Sequence, residues 1–437
     1  MSNCEGPNIT LATLQTYCLI LLAQQTTGLG LSTISISIDA LVRAAMRLDL
    51  HRPQRPDCGS SLSETDVQLR KKLWCTIVEL SIQSSLDAGL PPSLLPADLQ
   101  IDLPSNIDDV EISHSAPKPL NSSNKTDATV QILLARTATV RLRILHHLYG
   151  FSSIESYDTI LQLGGELMDQ YRANVRMLED LSSQPCAGHS DMSTRFQMSL
   201  LDALTLGPLM ALHSPFAYLA RANPKFYFSR KICFEAAWAL PSRRLPPSTQ
   251  RSAGPTRTLY DALLVHASGL FERVHLQSTA LICMEMLSSF TEGSFLSNSL
   301  FDSAVVLEAV QQSIDLCARR LDNGTTDVAS HVILSCALAH IRALKSRSEP
   351  QVLVAEGAVQ SLKECLHTLQ CAAARRRTAT QSSMAVEATE PGISHDSNAL
   401  NEDWWASQDP LDLTITSASW WGGEDGSLLN DSAYQST

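Results

Sequence analysis

The sequence predicts an all-α protein, a large multi-helix body followed by a disordered acidic tail. Three observations carry this prediction. Apolar residues recur at three- and four-residue spacing along most of the chain, alternating runs are nearly absent, and the composition changes abruptly after Arg377. With 437 residues, 44% apolar and 18% charged, the chain is long enough to bury one large core or two ordinary ones. These features place the body at residues 1–377 and the tail at 378–437.

A first helix is expected over about Leu11 to Gln25, where Leu11, Leu14, Cys18 and Leu21 form one stripe and Gly28 and Gly30 supply a terminator. A second follows over roughly Ile36 to Leu50. The third begins at the Ser63-Glu64-Thr65-Asp66 cap, carries Leu69, Leu73, Ile77 and Leu80 on one face, and stops at Gly89 before Pro91 and Pro92. From Gly89 to about Asn124, Pro91, Pro92, Pro96, Pro104, Pro117 and Pro119 exclude a continuous helix, so this stretch is expected to wrap over the surface. Helical pattern resumes at Ala128 to Tyr149 and Tyr157 to Leu181, then at Met192 to Ala222 with interruptions at Pro208 and Pro215. Further helices are expected at Arg230 to Leu240, Thr258 to Phe290, Leu300 to Leu321, Asp327 to Leu344 and Val352 to Arg375. No fixed repeat period is present.

Charge is unevenly spread. The net charge of −12 is dominated by ten acidic residues between Thr378 and Thr437, a stretch with no Lys or Arg; the remainder carries 35 acidic against 33 basic residues. Such a body offers no basic stripe for gripping phosphates. Eleven unclustered cysteines point to reduced thiols, not to a disulfide framework. No basic residue precedes Arg43, so no secretory signal is expected, and no uninterrupted apolar run reaches the length of a membrane span.

Catalytic and metal signatures are weak. Gly28-Leu29-Gly30 lacks the third glycine of a dinucleotide fingerprint and follows a helix, not a strand. Phosphate-binding loops, nucleophile elbows and Cys-x-x-Cys pairs do not occur in the sequence. Cys336 and His340 share a helix face but lie in the apolar run Val332 to Ile341, where a packed core is the better account, and Cys365, His367 and Cys371 are no stronger as a ligand set. His146 and His147 diverge on a helix. Asp98, Asp102, Asp108, Asp109 and Glu111 read as a solvated acidic loop. No enzyme activity and no cofactor are expected of this chain.

The stretch from Ala40 to Arg52 resembles the helix that opens the core of the fungal-specific transcription factor domain, or middle homology region. Glu64 is followed by Arg70, Lys71, Lys72, Leu73 and Trp74, which is similar to the family's acid, basic triplet and Leu-Trp element. The turn around Gly89, Pro91 and Pro92 and the Pro104-x-Asn106-x-Asp108-Asp109 loop resemble the next two family segments in order and spacing. Leu212 to Ala217 and Pro224 to Lys231 are similar to later segments. On physical grounds Leu73 and Ile77 pack on the second helix with Trp74 covering its edge. Arg70, Lys71 and Lys72 face the acids of the following loop, and Asn106, Asp108 and Asp109 serve capping and turn hydrogen bonds.

The resemblance implies a nuclear regulator of RNA polymerase II genes, of the kind associated with fungal metabolic gene clusters. Regulators of this family usually carry a six-cysteine binuclear zinc cluster, and this sequence has no such motif. DNA contact is therefore expected from a zinc cluster upstream or from a partner, with a homodimer as one option. In the tail, Trp404, Trp405, Trp420 and Trp421 stand beside acids and leucines, the composition of an activation segment that engages a coactivator or the transcription machinery. An inert solvated tail fits the same composition. A helical scaffold or small-molecule sensor outside transcription is the alternative for the whole chain.

Overall fold

A computed structural model describes residues 9–27, 31–52, 62–99, 101–112, 125–150, 156–183, 191–244, 259–292 and 303–387. Every regular element among them is a helix. The α-helices are α1 (Leu11–Thr27), α2 (Leu31–Arg47), α3 (Glu64–Ala88), α4 (Asp109–Ile112), α5 (Thr129–Tyr149), α6 (Tyr157–Ser183) and α7 (Asp191–Leu219). They continue as α8 (Tyr227–Ser242), α9 (Leu259–His266), α10 (Leu270–Glu292), α11 (Ser303–Asn323), α12 (Val328–Ser346) and α13 (Pro350–Glu387). Contacts group the chain into residues 1–376 and 377–437. Of the second group, only the helical continuation of α13 to Glu387 is described; Trp404, Trp405, Trp420 and Trp421 lie outside the described residues, as do Gly28 and Gly30.

Helix α3 is central, packing on α2, α5 and α10, and α5 in turn packs on α6 and α7. Its start is fixed by Ser63, whose hydroxyl accepts from the Asp66 N–H at 3.1 Å. Its end is fixed by Gly89, at φ 66°, whose N–H donates to the Ser85 carbonyl. Because neighbours lie on more than one side, the buried set includes Leu73, Trp74, Cys75, Ile77, Val78 and Leu80 rather than a single stripe. Leu69 is only half-buried, whereas polar Gln68 is buried.

Helix α7 runs unbroken through Pro208 and Pro215, where the sequence suggested interruptions. Proline removes the N–H that would pair with the carbonyl four residues earlier. For Pro208 that carbonyl belongs to Leu204, and it accepts from the Arg141 guanidinium of α5 at 3.3 Å. Pro241 in α8 is treated alike: the Ala237 carbonyl accepts from the Ser278 hydroxyl of α10 at 2.7 Å. Neighbouring helices thus supply the donors that Pro208 and Pro241 lack.

The expected single helix from Thr258 to Phe290 is divided into α9 and α10, with Gly269 at φ 65° between them. Arg320 of α11 donates to the carbonyls of Leu264 and Ala267 at 2.6 and 2.5 Å, satisfying the C-terminal end of α9. A helix turn, α4, also forms inside the stretch expected to be irregular throughout. Helix α12 is the one described helix long and apolar enough by composition to cross a membrane, and it packs here on α10 and α11. Helix α13 extends beyond Arg375 because no Pro or Gly follows before Pro391.

Candidate functional site

The signature residues singled out by sequence in the body converge on one place, the loop between Gly89 and Ile112 and the faces of α3 and α5 that it packs on. The left-handed turn at Gly89 sends the chain out of α3; an added Cβ there meets only Tyr149, at 4.0 Å, so the glycine answers a conformational need and not a steric one. Pro92 and Pro104 are buried and Pro91 is half-buried. Beyond the prolines, the Leu94 carbonyl sits 2.8 Å from Nε2 of His146 on α5. That histidine fastens the loop to α5.

The basic triplet divides its work. Both terminal nitrogens of Arg70 donate to the Leu48 carbonyl at the end of α2, at 3.3 and 3.0 Å. Lys71 pairs with Asp102 at 3.0 Å, and Lys72 pairs with Asp109. Leu73 and Trp74 are buried. Trp74 does not merely cover the edge of α2: it is 3% exposed, with its indole N–H unpartnered and the His51 ring 6.2 Å away. Asp102 and Asp109 of the loop are thus each paired with a lysine of α3.

Asn106 and Asp108 tie the loop to the start of α5. The Asn106 side-chain oxygen accepts from the hydroxyls of Thr126 and Thr129 at 2.7 and 3.0 Å, and Asp108 accepts from the Asp127 N–H at 2.9 Å. Two glutamines with no forewarning in the sequence complete the clasp. Gln68 accepts from the Ser105 N–H at 2.8 Å, and Gln131 donates to the Lys72 carbonyl and the Thr76 hydroxyl, each at 2.8 Å. A polar residue among the apolar residues of a helix was the available signal, and it is ambiguous without the partner.

Buried ion pairs within the helical body were also missed by sequence reasoning. Arg141, fully buried, holds Glu79 through two bonds of 2.9 and 2.6 Å and donates to the Leu134 carbonyl at 2.8 Å. Arg230 grips Glu285 at 2.7 and 3.2 Å. Asp202 accepts from the Tyr171 hydroxyl at 2.8 Å and from Arg243; burial outweighs these partners and pushes its carboxyl up to about 6.

The later family-like segments meet around His213. Its Nδ1 lies 2.9 Å from the Ser229 hydroxyl, which also lies 2.9 Å from the Tyr157 hydroxyl. The rings of Tyr157, Phe216 and Phe226 stack alongside, with centroids 4.8 to 5.2 Å apart. Burial lowers His213 to about 4.

Chemically, the described thiols follow their burial. Burial pushes the thiols of Cys75, Cys233, Cys283 and Cys317 up to about 12, away from nucleophilic use. Cys336, Cys365 and Cys371 gather no third ligand; among the described residues no group of three metal-ligating side chains forms.

Residues 1–171, which carry the basic triplet, the buried tryptophan and the Asn-Asp loop, match the fungal specific transcription factor domain. The chain is 34% identical over 348 residues to the aspyridones cluster regulator apdR of Emericella nidulans, covering 79% of this chain and 47% of that protein. It is 31% identical to the transcription factor lepE of Aspergillus flavus, over 80% of this chain and 43% of that one, and 28% identical to the transcription factor asR3 of Sarocladium schorii, over 92% and 51%. The chain thus spans about half the length of these curated relatives. No solved structure matches it.

Proposed function

We propose that this protein regulates transcription of a fungal biosynthetic gene cluster, with the helical body as regulatory domain and residues 378–437 as the segment that engages the transcription machinery. The single observation that carries the reading is the similarity over 79% of the chain to a regulator named for such a cluster. It is supported by the clasp, which is structural, and by the cluster of acids and tryptophans in the tail. The proposed place of action is the nucleus, with DNA reached through a zinc cluster in a longer product or through a partner. Catalysis has no part in it.

The test fuses residues 378–437 to a heterologous DNA-binding domain and reads a reporter, then replaces Trp404, Trp405, Trp420 and Trp421 with Ala. Each buried aromatic ring contributes on the order of 1.5 to 3 kcal/mol to a partner groove. Reporter output from the fusion, lost in the quadruple variant and only reduced when the nearby acids are neutralised, is the expected result. A silent fusion, or one indifferent to the tryptophans, removes the tail from the proposal. Failure of a tagged full chain to enter the nucleus removes the rest.

A further inference from the structure

Helix α13 loses its buried anchors after Ala372. Ser361, Cys365 and Ala372 are buried, with the Ser361 hydroxyl 2.7 Å from Nδ1 of His331 on α12, whereas residues 373–378 are all exposed. In that exposed stretch two arginines reach the body. Arg375 pairs with Asp322 at the end of α11, and Arg376 donates to the Asn323 carbonyl at 3.4 Å, its guanidinium lying where a Cβ on Gly324 would stand. The side chains of Arg375 and Asp322 are 59% and 43% exposed, so water screens the pair and it holds the helix weakly. Thr378, Thr380, Ser382 and Ser383 follow, and all are poor helix formers. This end of α13 therefore opens at little cost.

Three consecutive arginines occur once in the chain, at 375–377, and Thr378 is the only serine or threonine with arginine at both the second and the third position before it. No acid lies between Glu364 and Glu387. An exposed hydroxyl in that setting fits an enzyme that reads positive charge on the N-terminal side of its acceptor through an acidic groove. We propose that Thr378 is a phosphorylation site for an arginine-directed protein kinase. In the step, Oγ1 of Thr378 attacks the γ-phosphorus of ATP, the bond from that phosphorus to the bridging oxygen breaks, ADP leaves, and the hydroxyl proton passes to the general base of the kinase. The product carries about two negative charges at pH 7, one helical turn from Arg375. The new phosphate competes with Asp322 for that guanidinium and so loosens the end of α13 from α11. Contacts divide the chain between residues 376 and 377, so the modification falls where the body gives way to the tail. It does not depend on any role of the tail in transcription.

The experiment incubates the full 437-residue chain with Mg-ATP and the catalytic subunit of cAMP-dependent protein kinase, an arginine-directed enzyme, and maps phosphate by mass spectrometry. Thr378 should be the principal site, and Thr378→Val should remove most of the incorporated phosphate. Arg375→Gln with Arg376→Gln should slow incorporation at Thr378 roughly tenfold or more, although the same change frees the helix end. Circular dichroism of both variants should match the parent, because the three side chains are exposed. Hydrogen exchange reads the consequence: residues 373–387 should exchange faster in the phosphorylated chain than in the unmodified one, with α12 unchanged. Absence of phosphate from Thr378, incorporation as fast or faster in the double glutamine variant, or unaltered exchange over residues 373–387 overturns the proposal.

Discussion

At Arg141 the cost of burying a charge is visible in its partners, since the guanidinium reaches Glu79, Leu134 and Leu204 and leaves only Nε without a partner. Arg141→Met leaves the Glu79 carboxylate uncompensated, and the expected loss of stability is about 3 to 5 kcal/mol by urea unfolding. Adding Glu79→Leu should recover part of that loss, because an apolar pair leaves no buried charge behind. His213 and His275 govern the acid side of stability. Burial lowers them from 6.5 to about 4 and about 3, so the folded state binds their protons more weakly than the unfolded chain does. The stability they contribute is complete above pH 6.5 and is lost as pH falls toward 4, on the order of 3 kcal/mol for His213. Asp202 acts in the opposite direction, because its raised carboxyl relieves the fold as pH falls from about 6 to 3.8. Two histidines outweigh one carboxylate, so the urea midpoint should fall over this range, and His213→Gln should make the slope shallower.

Helix boundaries show what can be read from a sequence and what cannot. Ser63 and Gly89 announce the ends of α3 through side-chain chemistry that needs no partner, and the structure places both caps there. The prolines of α7 could not be read this way, because whether Pro208 breaks a helix depends on a donor from α5, 67 residues earlier in sequence. Gln68 and Gln131 were illegible for the same reason: the groups they satisfy belong to other segments. Trp74 was placed correctly on α3 but too near the surface, since one stripe of leucines does not reveal a helix packed on several sides. For the turn at Gly89, Ala should cost about 1 to 2 kcal/mol through its left-handed φ, and Asn less, as thermal midpoints will report. A larger loss with Ala would mean that Tyr149 crowds the site after all.

For the whole molecule, apolar spacing foretold the helical class and composition the uneven charge, while the buried ion pairs stayed hidden because their members are scattered singly among apolar runs. The near-neutral body bears on DNA. The 437-residue chain should show no sequence-specific affinity for duplex DNA at physiological salt, and any binding at low salt should fall only gently with added salt, as a titration of a labelled duplex will measure. The borrowed donors of α7 and α8 have a consequence in time. The Leu204 carbonyl, left open by Pro208, finds its donor only when Arg141 arrives, and the Ala237 carbonyl, left open by Pro241, only when Ser278 does. Helices α7 and α8 are thus not autonomous folding units: each is completed in the step that docks it on α5 or α10. Local secondary structure and tertiary assembly are here one event, and these four helices are bound to form and to melt together.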